Sequence, residues 1–168
     1  MHSRVFTIVR NETEVKGVNL VSQDEVFDFM GEGNADYVVE SKYLKDDWDW
    51  LLNYCVKFMT GKKVGDYYTI TISLEKLEEH YNKRTKQVQE LANRLTAKSW
   101  EYLSQDNLIY DLEHLINNRR GFWVINGDEE YKSADTFDTW LSVVYSTMLN
   151  NNIKELTFKV IQSFDYHF

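Results

Sequence analysis

SLEKLEEHYNKRTKQVQELANRL, from Ser73 to Leu95, decides how the rest of the chain is read. The stretch reads as two helices joined by a tight turn. Leu74 and Leu77 supply the apolar side of the first helix, and Val88, Leu91 and Leu95 that of the second. Asn82 stands in the turn itself, where a residue tolerant of the left-handed conformation is wanted. The second helix, over 84–98, then presents Lys83, Arg84, Lys86, Gln87, Gln89, Asn93 and Arg94 on its other side. These residue types donate hydrogen bonds to phosphates and to base edges.

The charge distribution singles out the same region. The 168 residues carry a formal net charge of −8. Residues 1–60 balance at −5, residues 61–120 at +1 and residues 121–168 at −4. Only the middle third is not repelled by phosphate. A mixed-charge solvated helix is the plainer explanation of such a run. Hydrophobic residues make up 43% and aromatics 15%, which suits a folded core and argues against disorder. There is no proline, so turns must rely on Asn, Asp, Ser and Gly. The single cysteine, Cys55, excludes an internal disulfide and fits a reducing cytoplasm. The start, MHSRVFTIVR, lacks the apolar run of a signal peptide. No stretch approaches the roughly 20 apolar residues of a membrane span. The expectation is a cytoplasmic protein with no membrane association.

Around the opening stretch the patterning predicts an α+β fold. A small β-β-α-β lobe is expected over 1–40: strands at Val5–Val9 and Val18–Ser22, a helix opened by a Ser22/Glu25 capping box and stopped at Gly31 or Gly33, and a strand at Asp36–Glu40. The remainder, 41–168, is expected to pack with that lobe as one unit. It begins with a helix carrying Trp48, Leu51, Leu52, Cys55, Phe58 and Met59 and ending at Gly61. A period-2 strand follows at Asp66–Ser73. Beyond the opening stretch come a helix from Asp106 to Asn118, a strand at Phe122–Ile125 and an Asn126–Asp128 turn leading into EEYKS as partner strand. A helix capped by Asp135 and a long strand at Leu156–Phe168 complete the chain.

From Leu44 onward the order of helix, strand, helix, turn and helix, with a later two-stranded ribbon, resembles the winged helix-turn-helix superfamily. The residues that carry the resemblance are Leu77 and Val88, eleven positions apart, with Leu74, Leu91 and Leu95. It covers about residues 44–98. Glu78 stands where a small residue is usual, Lys83 where an apolar one is, and the ribbon tip Asp128–Glu130 is acidic. The resemblance implies a winged-helix-like centre whose second helix enters the major groove of double-stranded DNA. It implies dimeric binding over two half-sites, through the final strand or the helix of Trp140.

No catalytic motif emerges. GEGNAD (Gly31–Asp36) lacks the spacing of a phosphate-cradling loop. His2, His80, His114 and His167 form no metal-ligand pattern. Cys55 sits in an apolar stripe and reads as a packing residue. No metal and no cofactor are expected, and the chain is read as non-enzymatic.

The first functional expectation is thus a DNA-binding protein, such as a small regulator or a plasmid or phage replication accessory, with Arg119 and Arg120 adding phosphate contacts. The alternative is an acidic inhibitor, of the DNA-mimic type used in phage anti-defence, that offers carboxylates to a basic protein groove. Its surface would combine Asp24, Asp28 and Glu32 with Asp46, Asp47 and Asp49, and with Asp128, Glu129 and Glu130. A second alternative is an enzyme whose site assembles from scattered residues.

Overall fold

The computed structural model describes residues 2–31, 33–55, 57–96, 109–110, 112 and 121–167. Its elements run β1 (His2–Arg10), α1 (Gln23–Met30), β2 (Tyr37–Glu40), α2 (Leu44–Tyr54), β3 (Met59–Val64), β4 (Tyr67–Ser73), α3 (Leu74–Thr96), β5 (Trp123–Asn126), β6 (Ala134–Thr136), α4 (Phe137–Asn150) and β7 (Glu155–His167). The fold is α+β, as expected. One seven-stranded sheet runs β3-β4-β7-β1-β5-β6, with β2 also paired to β7. All pairs are antiparallel except β1 with β5.

β7 organises the sheet. β1 lines one side of it, while the other side is shared by β4 along Glu155–Val160 and β2 along Phe164–His167. The register against β1 skips Ile161, because Thr7 faces Gln162 and Ile8 faces Val160. Such a bulge reverses the in/out alternation of a strand. Leu156, Phe158 and Val160 therefore join one core, and Phe164 and Tyr166 join the other, although all five share sequence parity. The larger core packs α2, α3 and α4 through Trp48, Leu51, Leu77, Leu141 and Met148 against Phe6, Ile70 and Ile72. The smaller packs Val26 and Met30 of α1 against Val5, Ile125, Phe164 and Tyr166.

Several sequence expectations hold. The Ser22/Glu25 capping box is complete, and α1 stops at Gly31 with φ of 78°. β1, β2, β4, α4 and β7 lie where the patterning puts them.

Others need correction. Ser73–Leu95 is not two helices: α3 is one helix of 23 residues, and Asn82 lies within it. Good helix formers with no Gly or Pro make continuation cheaper than a turn. Leu77 and Val88 are then about 16 Å apart along one axis. Leu77 is fully buried, while Val88 is only partly so. The helix expected to reach Gly61 ends at Tyr54, and Met59 opens β3. Gly61 is a close-approach residue within β3. A Cβ there would lie 2.7 Å from Trp48 Cζ2 and Leu52 Cδ1, so its absence lets α2 rest on the strand.

Val18–Ser22 is not a strand; the Gln162 side chain holds both backbone groups of Val21 at 3.1 Å. Residues 1–40 supply β1 and β2 to the common sheet rather than a strand pair of their own. The partner of β5 is Ala134–Thr136, not Glu129–Ser133, and the ribbon is part of the main sheet. Thr136, not Asp135, caps α4 by accepting from the Thr139 backbone N–H. The helix expected from Asp106 to Asn118 lies outside the described residues apart from Ile109, Tyr110 and Leu112, which are helical. Arg119, Arg120, Lys98 and Glu32 also lie outside them. β7 is paired on both sides, and on α4 Trp140 is 9% exposed while Val143 is 60% exposed.

Candidate nucleic-acid interface on α3

At about 100° of turn per residue, Lys83, Gln87 and Arg94 fall within about 40° of one another on α3. Lys86 and Asn93 lie about 60–80° to one side of Lys83, and Gln89 lies further round. All six are exposed. From Lys83 to Thr96 the helix carries four cationic side chains against one carboxylate, Glu90. Arg84 departs from the set. It turns about 100° the other way, toward α4, and both of its Nη atoms lie 3.4 Å from Asp138 Oδ2.

That turn brings Arg84 into a recess of about 340 Å³. Tyr54 closes α2 there, and Lys57 and Phe58 follow it. His80, Lys83, Arg84 and Gln87 come from α3, and Phe137, Asp138 and Leu141 from the start of α4. Phe58 and His80 pack with ring centroids 4.8 Å apart. Burial, and then the charges of Arg84 and Lys57, hold the His80 imidazole below its ordinary value, with Asp138 opposing. Burial and then Asp138 push the Tyr81 phenol up to about 12. The buried Cys55 thiol is also pushed up, by burial and then by Asp138, which makes it a poor nucleophile. Of the sequence-chosen donors among the described residues, Lys83, Arg84 and Gln87 line this recess. Lys57, His80 and Asp138 come from places that no local spacing connects.

The structure disperses the carboxylates expected to face a basic groove. Asp47 is 4% exposed. Its Oδ1 accepts from Arg4 Nε at 2.5 Å and its Oδ2 from Ser163 Oγ at 2.8 Å. Asp49 pairs with Lys45, and Asp46 is exposed. Asp128 accepts from the Arg10 backbone N–H at 2.7 Å and from Thr13 Oγ1 at 2.5 Å. Glu129 accepts from Asn126 Nδ2 at 2.9 Å, and Glu130 is exposed. Arg4 and Arg10, the respective anchors, are six residues apart on β1, so the two acidic groups sit about 20 Å apart.

The β1–β7 register also joins two histidines that are far apart in sequence. His2 and His167 have ring centroids 5.2 Å apart, and each bonds a carboxylate, Asp165 at 3.1 Å and Asp36 at 3.0 Å. Among the described residues no group of three or more His, Cys, Asp or Glu is arranged to hold a metal. Among the same residues no helix is long and apolar enough to cross a membrane. No protein-family model, curated protein or solved structure matches this chain.

Proposed function

We propose that this chain is a non-enzymatic DNA-binding protein of the cytoplasm that engages double-stranded DNA through the exposed arc of α3. The observation that supports this reading is the gathering of Lys83, Lys86, Gln87, Asn93 and Arg94 within about 120° of helix surface. A lone helix of α3's width fits the major groove. Flanking phosphates would meet the lysines and Arg94, and Gln87 and Asn93 offer amides to base edges. The acidic remainder of the surface discourages loose association and leaves attraction to this one face.

Fluorescence anisotropy with a labelled duplex of about 20 base pairs tests the reading at two salt concentrations. Lys86→Ala with Arg94→Ala is expected to weaken binding about tenfold and to lower the salt slope by about 2. Absence of duplex binding at low salt, or an unchanged slope in the double variant, would overturn it.

A further inference from the structure

We propose that Asn126 is a guarded deamidation site: inert while β1 holds the Gly127 N–H, and converted to aspartate or isoaspartate once the turn after β5 opens. The site lies on β5 and does not rest on the DNA-binding reading.

The reactivity comes from the sequence. Asn126–Gly127 is the one Asn–Gly pair in the chain. Glycine suits the reaction, because no side chain hinders its nitrogen and its backbone turns freely. Once the Gly127 nitrogen has lost its proton, it can attack Asn126 Cγ. The new N–Cγ bond closes a cyclic imide, the Cγ–Nδ2 bond breaks, and Nδ2 takes up a proton and leaves as ammonia. Water then opens the ring. Addition at Cγ gives aspartate. Addition at the main-chain carbonyl of residue 126 gives isoaspartate, with the backbone rerouted through the former side chain.

The fold opposes the first step. The Gly127 N–H donates to Ile8 O at 2.8 Å at the end of the β1–β5 pairing, so the attacking nitrogen keeps its proton there. Gly127 is buried and packed hard against β1: a Cβ on it would lie 2.7 Å from Val9 Cγ1 and 3.3 Å from Thr7 Cγ2. Both polar atoms of the Asn126 amide are also held. Nδ2 donates to Glu129 Oε1 at 2.9 Å, and Oδ1 accepts from the Asp128 N–H at 3.2 Å. The second of these contacts would stabilise charge on Oδ1 during attack, but only after the nitrogen is freed. Asp128 keeps the turn closed by accepting from the Arg10 backbone N–H and from Thr13 Oγ1. The Gly127–Ile8 bond is thus the guard, and the Asp128 clamp holds it in place.

The product does not fit the same place. An aspartate sets a carboxylate against Glu129 where an N–H donor stood. An isoaspartate adds a methylene to the backbone ahead of Gly127, whose N–H then misses Ile8 O.

The test incubates the full chain in mildly alkaline buffer, folded and unfolded in guanidinium chloride. Mass-spectrometric peptide mapping follows conversion at Asn126 and separates isoaspartate from aspartate. Conversion is expected to be at least about tenfold slower in the folded chain, because only the open fraction reacts. Asp128→Ala should speed the folded rate at least about threefold and change the unfolded rate little. Thr13→Val removes one partner of the clamp and should fall between wild type and Asp128→Ala. It is the variant to read if Asp128→Ala melts at the incubation temperature. The isolated isoaspartate product should lose hydrogen-exchange protection at the Gly127 amide. Equal rates in the folded and unfolded chains would overturn the guard, and no conversion at Asn126 in either would overturn the site. Folded rates unchanged in both variants would overturn the role of Asp128.

Discussion

Two arginine–aspartate contacts sit on the same side of the sheet and differ in kind. At one end Arg4 is enclosed. Its Nε meets Asp47 and its Nη1 meets Asp165, both at 2.5 Å, and its Cζ lies 5.0 Å from the centroid of the Trp50 ring. The other oxygen of Asp47 is taken by Ser163. The cluster ties β1, α2 and β7 together, and each charge in it has an opposite charge or a hydrogen-bond donor in close contact. At the other end both Nη atoms of Arg84 lie 3.4 Å from Asp138 Oδ2, and Lys57 and Lys83 line the same recess. Desolvated charge is tolerated where pairing is complete. A longer, partly exposed pair is screened by solvent and holds its elements together less firmly.

The largest expected effect is at the closed end. Asp47→Ala leaves a largely buried guanidinium with one partner fewer and strands the Ser163 hydroxyl. The expected cost is about 3 kcal/mol, or a fall of about 9 °C in Tm for a chain of this size. Thermal melts followed by circular dichroism measure it. Asp138→Asn is expected to cost less than about 1 kcal/mol, because the pair it breaks is long and partly exposed. The same change should lower the Tyr81 phenol, since Asp138 helps to raise it. Equal melting losses in the two variants would erase the distinction between the two ends.

The contrast also marks what the sequence made legible. Local signals were reliable: the Ser22/Glu25 box, the alternation of Tyr67–Ser73 and the apolar face of α4 all act within one element. The turn expected at Asn82 does not form, because an eleven-residue spacing fits one continuous helix as well as a helix pair. Leu74, Leu77, Tyr81, Arg84, Val88, Leu91 and Leu95 step by three and four without a break in phase, as one helix requires. Arg84, lying on that inward stripe, already pointed toward a neighbour rather than toward solvent. Phe58 and Met59 continued a helical spacing by coincidence, and Gly61, read as a stop, was a packing requirement of β3. The recess was not legible, because Lys57, His80 and Asp138 meet only after three elements have packed. The same holds for His2 beside His167, which the β1–β7 register decides.

The smallest expected effect comes from His80, which reports on the open end directly. Its native pKa lies below the ordinary 6.5, so the unfolded chain takes up the proton first as pH falls. Its contribution to stability is therefore present above pH 6.5 and is lost as pH drops through the native value. The facing charges are Arg84 on α3, Lys57 after α2 and Asp138 on α4; the first two disfavour the proton and the third favours it. Urea midpoints at about pH 7.5 and about pH 5.5 should fall further apart in the wild type than in His80→Gln. Equal gaps in the two proteins would mean that neither burial nor the charges of Arg84 and Lys57 hold the imidazole below its ordinary value, and the open end would then differ from the closed one only in packing.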